Sequence, residues 1–461
     1  MNNIEPLYIT RITVRKLFGL YDYILEETAS GDQPGRVAIL YGDNGSGKTT
    51  ILRSIFHILA PDGRSGHKTE IAKTPFSFFE ITLSNKTIIQ VKREENELTG
   101  SFILTIKKYR KKAESFPFTV NEEMVISAGS QSKEEREEIA LCHSRLGDLN
   151  LGLYYLADDR TIELAGQASV LSSSTELDFN EDLEREFIIS RRHMTARALR
   201  RPPLRPGGIA SNLLDQSMER FTLWIKNLAL QASTAGDSSV NTLYNEILAR
   251  VARVSPKTLK KPLNKAQLQS RIQSVENSSK ALAKYGFVPK FQGSEILGQL
   301  DVATAPETVS LMAHVLTPYL DSLEKRVETL DNVYEIVDNL VQIINGFLSH
   351  KQIHFDIHKG LSIVTSDGKN LRPFMLSSGE RHLLLIFCNT AVSLEHPSIF
   401  IVDEPEISLN IKWQRSLIDS LGKCIGNNPV QYIFATHSLE IISQYRDRVF
   451  KLINAADHET D

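Results

Sequence analysis

The apolar run Val37-Ala38-Ile39-Leu40 leads almost directly into Gly42-Asp43-Asn44-Gly45-Ser46-Gly47-Lys48-Thr49, and that stretch into the helical pattern of Thr50 to Leu59. The middle piece fits G-x-x-x-x-G-K-[ST], set between a strand and a helix as that pattern requires. This junction commits the chain to an α/β fold. Glycines at 42, 45 and 47 let the backbone turn its amides inward around a phosphate, and the following helix N-terminus favours the anion. Lys48 supplies a point charge for β- and γ-phosphates, and Thr49 a hydroxyl for Mg²⁺.

Length and composition narrow the setting. At 461 residues the chain has room for two or three domains, and a formal net charge of −3 announces no nucleic-acid partner. Cys142, Cys388 and Cys424 are odd in number and far apart, which fits reduced thiols in a cytosolic protein better than disulfides or a zinc site. Met1 to Thr10 lacks the apolar core of a signal peptide, and no stretch of about twenty apolar residues could span a membrane. A soluble, cytoplasmic protein without membrane contact is the expectation.

Three further motifs lie far downstream. Ser398-Ile399-Phe400-Ile401-Val402-Asp403-Glu404-Pro405 is a run suited to a strand buried on both faces, ending in two acids where parallel sheets bind ligands. Asp403 is placed to hold Mg²⁺, directly or through water, and Glu404 to polarise an attacking water. Leu376-Ser377-Ser378-Gly379-Glu380-Arg381-His382 precedes the apolar segment Leu383 to Phe387, so small residues open a helix and offer amides and a hydroxyl to an anion. Finally, the apolar strand Tyr432 to Ala435 ends in Thr436-His437-Ser438.

In this order the motifs resemble the ABC-type ATPases, specifically their SMC and RecF-like branch and the overcoming-lysogenization-defect group of AAA-type domains. The resemblance implies an ABC-type head, a mainly parallel sheet plus an antiparallel β subdomain, split by a helical or coiled-coil insertion. It implies ATP bound by Gly42 to Thr50, with Ser377, Ser378, Gly379 and Glu380 as a signature completing the site on another protomer. His437 becomes the switch that meets the γ-phosphate, and Glu406 to Asn410 the loop crossing the dimer interface. Ser378 and Glu380 depart from the commonest signature, toward the SMC-like branch. No glutamine stands at the usual edge of the site; Tyr154-Tyr155-Leu156-Ala157-Asp158-Asp159-Arg160 occupies that position, as a solvated turn or as contacts to a magnesium water shell.

The expected domains are 1–175, the N-terminal half of the head; 176–350, the insertion; and 351–461, the C-terminal half. Strands are expected over Tyr8 to Lys16, Phe76 to Leu83, Thr87 to Lys92 and Ser101 to Tyr109. Helices are expected over Asn212 to Ser233, Thr242 to Val254 and Ala266 to Ala283. A heptad-like pattern through Leu323, Val327, Leu330, Tyr334, Val337, Leu340, Ile344 and Phe347 fits an internal bundle or a protruding arm equally. Strands resume at Ile353 to Ile357 and Leu361 to Ile363. Two basic clusters, Lys107 to Lys112 around Tyr109 and Arg191 through Arg205, suit nucleic-acid phosphates or simply solvent.

The resemblance points to a homodimer or higher oligomer with composite ATP sites. Its role is then that of a sensor and scaffold in bacterial antiphage defence, triggered by a phage protein. An effector nuclease would be supplied in trans, of TOPRIM type as in PARIS systems or, second, of HNH type as in Septu. The rival expectation is a DNA clamp in repair or chromosome maintenance.

Overall fold

A computed structural model describes residues 7–26, 36–61, 66–126, 132–169, 208–236, 240–253, 265–426 and 428–453. The chain divides into two compact units, Met1–Asp215 with Leu376–Asp461, and Gln216–Met375.

The first unit holds two six-stranded sheets. One is antiparallel, in the order β2 (Tyr21–Glu26), β1 (Ile9–Leu17), β4 (Phe78–Leu83), β5 (Ile88–Lys92), β6 (Phe102–Lys107), β7 (Glu114–Phe118). The other runs β15 (Val449–Lys451), β3 (Val37–Tyr41), β14 (Val430–Ala435), β13 (Ser398–Asp403), β8 (Gly152–Leu156), β9 (Ile162–Gly166). It is parallel except at its β9 edge. Sequence pattern explains the difference. Every residue of β13 and β14 is buried, so their apolar runs are continuous. In β4 only Phe79, Ile81 and Leu83 are buried, the alternation of a sheet with one covered face.

Helices α1 (Lys48–Leu59), α2 (His67–Lys73) and α3 (Lys133–Gly147) belong to this unit, as do the late helices α9 (Ser378–Val392), α10 (Ile411–Ile425) and α11 (Leu439–Gln444). One core cluster runs from Phe79 and Ile81 of the antiparallel sheet through Ile51, Ile55 and Phe56 of α1 to Ile401 and Ile433 of the parallel sheet. Each such side chain contributes about 1.5–3 kcal/mol by leaving water. The helix behind the glycine loop is thus fixed, and the loop hangs from a rigid support.

The second unit contains α4 (Gly208–Gly236) from Gln216 onward, α5 (Val240–Ala252), α6 (Lys265–Lys284), α7 (Gly293–Val302) and α8 (Pro306–Phe347). Helix α8 runs 42 residues, with Pro306 in its first turn and Pro318 inside it. The expected heptad face is there: Leu330, Val337, Leu340, Ile344 and Phe347 are buried, while Leu323, Val327 and Tyr334 are partly so. The helix starts well before that pattern. Its first half buries Val309, Ala313 and Leu320 against Leu268, Ile272 and Val275 of α6 and Leu300 of α7. The long helix therefore has partners within its own unit.

The three-stranded sheet β10 (Lys351–Asp356), β11 (Gly360–Thr365), β12 (Asn370–Leu371) also belongs to this unit, although the expected boundary at 351 gave it to the head. Alternation places a strand in a sheet without saying which sheet. Here the Asn345 side chain of α8 both donates to and accepts from the backbone of Ile353, at 3.1 and 2.7 Å. Phe355 then packs against the rings of Phe221, Tyr285 and Phe287. Among the described residues no helix is long and apolar enough to cross a membrane.

Candidate nucleotide-binding site

The glycine loop leaves β3 and enters α1 as the pattern requires. Gly45 and Gly47 have φ of +83° and +88°, a backbone that favours glycine. At Gly47 a Cβ would also lie 2.6 Å from Leu17 Cδ2, and at Gly42 2.8 Å from Ser46 Oγ. The β1–β2 hairpin braces the loop from the other sheet, with Tyr23 Oη donating to the Ser46 carbonyl at 3.0 Å. Lys48 Nζ is buried and donates to the carbonyls of Gly42 and Asp43 at 2.9 and 3.0 Å. Burial lowers its pKa, while Glu404, Asp403 and Asp43 raise it. The ammonium is thus held inside the loop with acids facing it.

Parallel pairing puts the ends of β13 and β14 beside the end of β3. Asp403 closes β13 at 1 % exposure, and neither of its carboxylate oxygens completes a hydrogen bond. Burial pushes its pKa up; the nearby Thr49 hydroxyl pulls it down, Asp158 and Glu404 push it up again, and Arg53 lowers it. An unsatisfied carboxylate beside a hydroxyl is a donor set for a hard divalent cation, so these residues fit Mg²⁺.

Glu404 follows with φ +48°, in the left-handed region, while its N–H still bonds to the Ala435 carbonyl at 2.8 Å. The ladder extends one residue past Asp403 and the chain then turns sharply, which costs of order 1–3 kcal/mol. Glu406 was expected only as part of the interface loop; it also organises the end of β14. Its Oε1 accepts from the N–H groups of His437 and Ser438 at 2.7 and 3.0 Å, and its Oε2 is buried without a partner. Ser438 caps α11 through Ile441 N–H and donates to Gln414 Oε1 at 2.7 Å. His437 thus stands at the mouth of β14 on a backbone held by a carboxylate.

The signature residues form a capping box at α9: Ser377 Oγ accepts from Glu380 N–H at 3.3 Å, and Glu380 Oε2 from Ser377 N–H at 2.7 Å. The groups of this turn not used in the box are the Ser378 hydroxyl and the amides of 378 and 379. A Cβ on Gly379 would come 2.4 Å from the Ser408 carbonyl, so glycine lets α9 lie against the 404–410 turn. The helix opening expected at these residues is therefore present, as a capping box.

The segment after β8 is a turn: Ala157 N–H bonds to Thr161 O at 3.0 Å, and Asp159 accepts from the Thr161 hydroxyl and N–H at 2.6 and 2.8 Å. Arg160, at φ +69°, donates to Ser408 Oγ at 2.6 Å and ties this turn to the 404–410 segment. Sequence reasoning missed that link, as it missed Tyr23, Arg53 and Gln414. The polar character of Arg160 was its only signal. Of the basic clusters, 107–112 forms the β6–β7 turn, where Tyr109 is half exposed with Lys86 and Arg110 against its ring. The cluster at 191–205 lies outside the described residues.

Two family models and several known proteins match parts of this chain. A family model described as "AAA domain" matches residues 33–196, and one described as "AAA domain, putative AbiEii toxin, Type IV TA system" matches 229–443. The "Retron Vc95 probable ATPase" of Vibrio cholerae is 29% identical over 106 residues, 21% of this chain and 20% of that protein. A "Putative ABC transporter ATP-binding protein" of Clostridium acetobutylicum is 24% identical over 111 residues, 24% of this chain and 39% of that protein. The chain thus spans well under half the length of these curated relatives. A structure of the Smc head domain from Pyrococcus furiosus, with an extended coiled coil and bound to the C-terminal domain of ScpA, is 13% identical at a TM-score of 0.37, covering 95% of this chain and 91% of that one. A second Smc head, from Pyrococcus yayanosii, gives a TM-score of 0.34 at 13% identity, covering 95% and 93%. The two family models, both described as AAA domains, thus match separate stretches of this chain, each less than half of it.

Proposed function

We propose that the chain binds and hydrolyses ATP as the sensor and scaffold subunit of a bacterial antiphage defence system, and that it controls an effector nuclease supplied in trans. The ATPase part rests on the buried, unsatisfied Asp403 beside Thr49 at the mouth of a glycine loop. Inward amides from Gly42 to Gly47 and the Lys48 ammonium hold the phosphates. Thr49 and Asp403 hold Mg²⁺, which when bound neutralises charge on the phosphate oxygens. Glu404 takes a proton from water as the water oxygen bonds to the γ-phosphorus and the bond to ADP breaks; His437, fixed through Glu406, contacts the γ-phosphate. Ser378 and the amides behind Ser377, from a second copy of the chain, complete the site.

The defence part is supported by the stretch shared with the retron ATPase and by motif order. Its nearest type is the PARIS ATPase subunit AriA, with a TOPRIM nuclease partner and a phage protein as trigger; the Septu ATPase PtuA, with an HNH partner, is the second choice. A DNA clamp of the SMC or RecF kind is the other reading, favoured by the exposed Tyr109 in its basic turn.

Glu404→Gln separates them. It should slow turnover by about a hundredfold or more while leaving ATP bound, and light scattering should then show a stable dimer. The scaffold reading expects no tight DNA binding by this trapped form alone. Tight, salt-sensitive gel shifts without any partner would transfer the assignment to the clamp.

A further inference from the structure

The end of α1 opposite Lys48 and Thr49 carries a second cluster of chemically competent side chains. His57, near the C-terminus of α1, and His67, the first residue of α2, are 8 % and 4 % exposed and bring their Nδ1 atoms to 3.0 Å. Glu163 of β9, partly exposed, joins them, and the ligand atoms of the three all lie within 4.8 Å of one another. Phe56 closes one side, its ring meeting those of His57 and His67 edge-on at 5.6 and 5.3 Å. Lys68 is next to the pair, but its Nζ donates to the carbonyls of His57, Ile58 and Ala60 at 2.7 to 2.9 Å and so caps α1. Arg53 also lies nearby, with Glu70 and Asp159 around Glu163 to offset it.

The contact between the two Nδ1 atoms is by itself one neutral hydrogen bond. A carboxylate arriving from a distant strand turns them into a two-nitrogen, one-oxygen donor set. In a tetrahedral site with bonds of about 2.0–2.1 Å the donor atoms stand roughly 3.3 Å apart. The observed 3.0 Å between nitrogens is within a small side-chain adjustment of that.

We infer that His57, His67 and Glu163 form a site for a divalent first-row transition metal, Zn²⁺ best matching the donor set, with water in the fourth position. The metal would staple the far end of the phosphate-loop helix to α2 and to the edge strand β9. It lies about 13 Å along the helix from Lys48, so it is separate from any Mg²⁺ bound with nucleotide.

The test uses the full chain, stripped with a chelator and titrated with Co²⁺ in buffer free of nucleotide and Mg²⁺. Expected are visible d–d bands of four-coordinate Co²⁺ saturating near about one equivalent, displaced by Zn²⁺, with a rise in melting temperature. Glu163→Gln, at a partly exposed position, and His67→Gln should each weaken Co²⁺ binding by roughly tenfold or more with far-UV circular dichroism unchanged. If His67→Gln fails to fold, Glu163→Gln carries the test. Absence of the bands in the unaltered chain would overturn the site, leaving a histidine–histidine hydrogen bond. Bands that persist unchanged in Glu163→Gln would overturn it equally, by placing the metal elsewhere.

Discussion

Carboxylates in the helical unit close on cations, whereas two beside the glycine loop have buried oxygens left open. Arg271 of α6 reaches both Asp321 and Glu324 of α8 at 2.7 Å, and Asp338 accepts from Lys284 and Tyr285 at 2.8 and 2.6 Å. In the unit with the two large sheets, both oxygens of Asp403, the Ser46 hydroxyl and Glu406 Oε2 are buried without partners. Each such group costs about 1–3 kcal/mol relative to a satisfied one. A native protein keeps several of them in one place where something else is to complete them. One region is thus arranged to receive a ligand and the other to hold a shape.

The strongest way to break that contrast is Lys48→Ala. Removing the ammonium from the loop should lower ATP hydrolysis by about a hundredfold or more, with the melting temperature little changed, because the lysine packs against loop carbonyls and not the core. Phosphate release measured at saturating ATP checks this. Hydrolysis at the unaltered rate would mean that the open groups serve some other purpose.

Much of that receiving region was legible in the chain. The loop, the buried β13 and β14 and the capping box at Ser377 follow local rules, with glycines where φ is positive and apolar runs where both faces are covered. Helices α1, α4, α5 and α6 were legible for the same reason, to within a few residues, whereas α8 begins well before the pattern that signalled it. What escaped was of two kinds. The left-handed turn at Glu404 violates local preference, since strain at a site is imposed by tertiary pairing with Ala435. The links from Arg160 to Ser408, from Tyr23 to Ser46 and from Glu163 to the two histidines join residues far apart in sequence, and no periodicity encodes them. The placement of β10 to β12 failed likewise, because alternation specifies a face and not a partner sheet.

Gly379→Ala sharpens the contrast within the site itself. Its Cβ would meet the Ser408 carbonyl at 2.4 Å, and backbone on both sides leaves little room to yield. A loss of about 1–3 kcal/mol is expected, read in denaturant melts. A neutral outcome would show that α9 shifts freely against the 404–410 turn.

Asp403→Asn asks whether an open group really is costly. Hydrolysis should be lost, yet the ligand-free protein should gain roughly 1 kcal/mol. The pH dependence has a definite sign. The folded-state pKa of Asp403 is raised, chiefly by burial, so its protonated form favours folding below the ordinary carboxyl value, and that contribution is lost as pH rises through the raised one. Melts of the unaltered protein should show this loss, and those of the asparagine variant should not. If Asp403→Asn is less stable than its parent at neutral pH, the carboxylate is satisfied by the protein and the ligand-site argument weakens.

The smallest effect is expected where the charges are closed. Arg271 and its two acids are all partly exposed, with side-chain exposures of 29%, 47% and 42%, so water screens much of their attraction. Arg271→Ala should therefore cost about 1 kcal/mol or less and lower the melting temperature slightly, and its cost should shrink further in added salt. ATP hydrolysis should not change, since none of the three residues belongs to the unit that carries the glycine loop. A fall in turnover on removing this one guanidinium would show that the helical unit does more than hold a shape. The α6–α8 contact would then belong to the switch, with its ion pairs reporting or setting the state of the glycine-loop site.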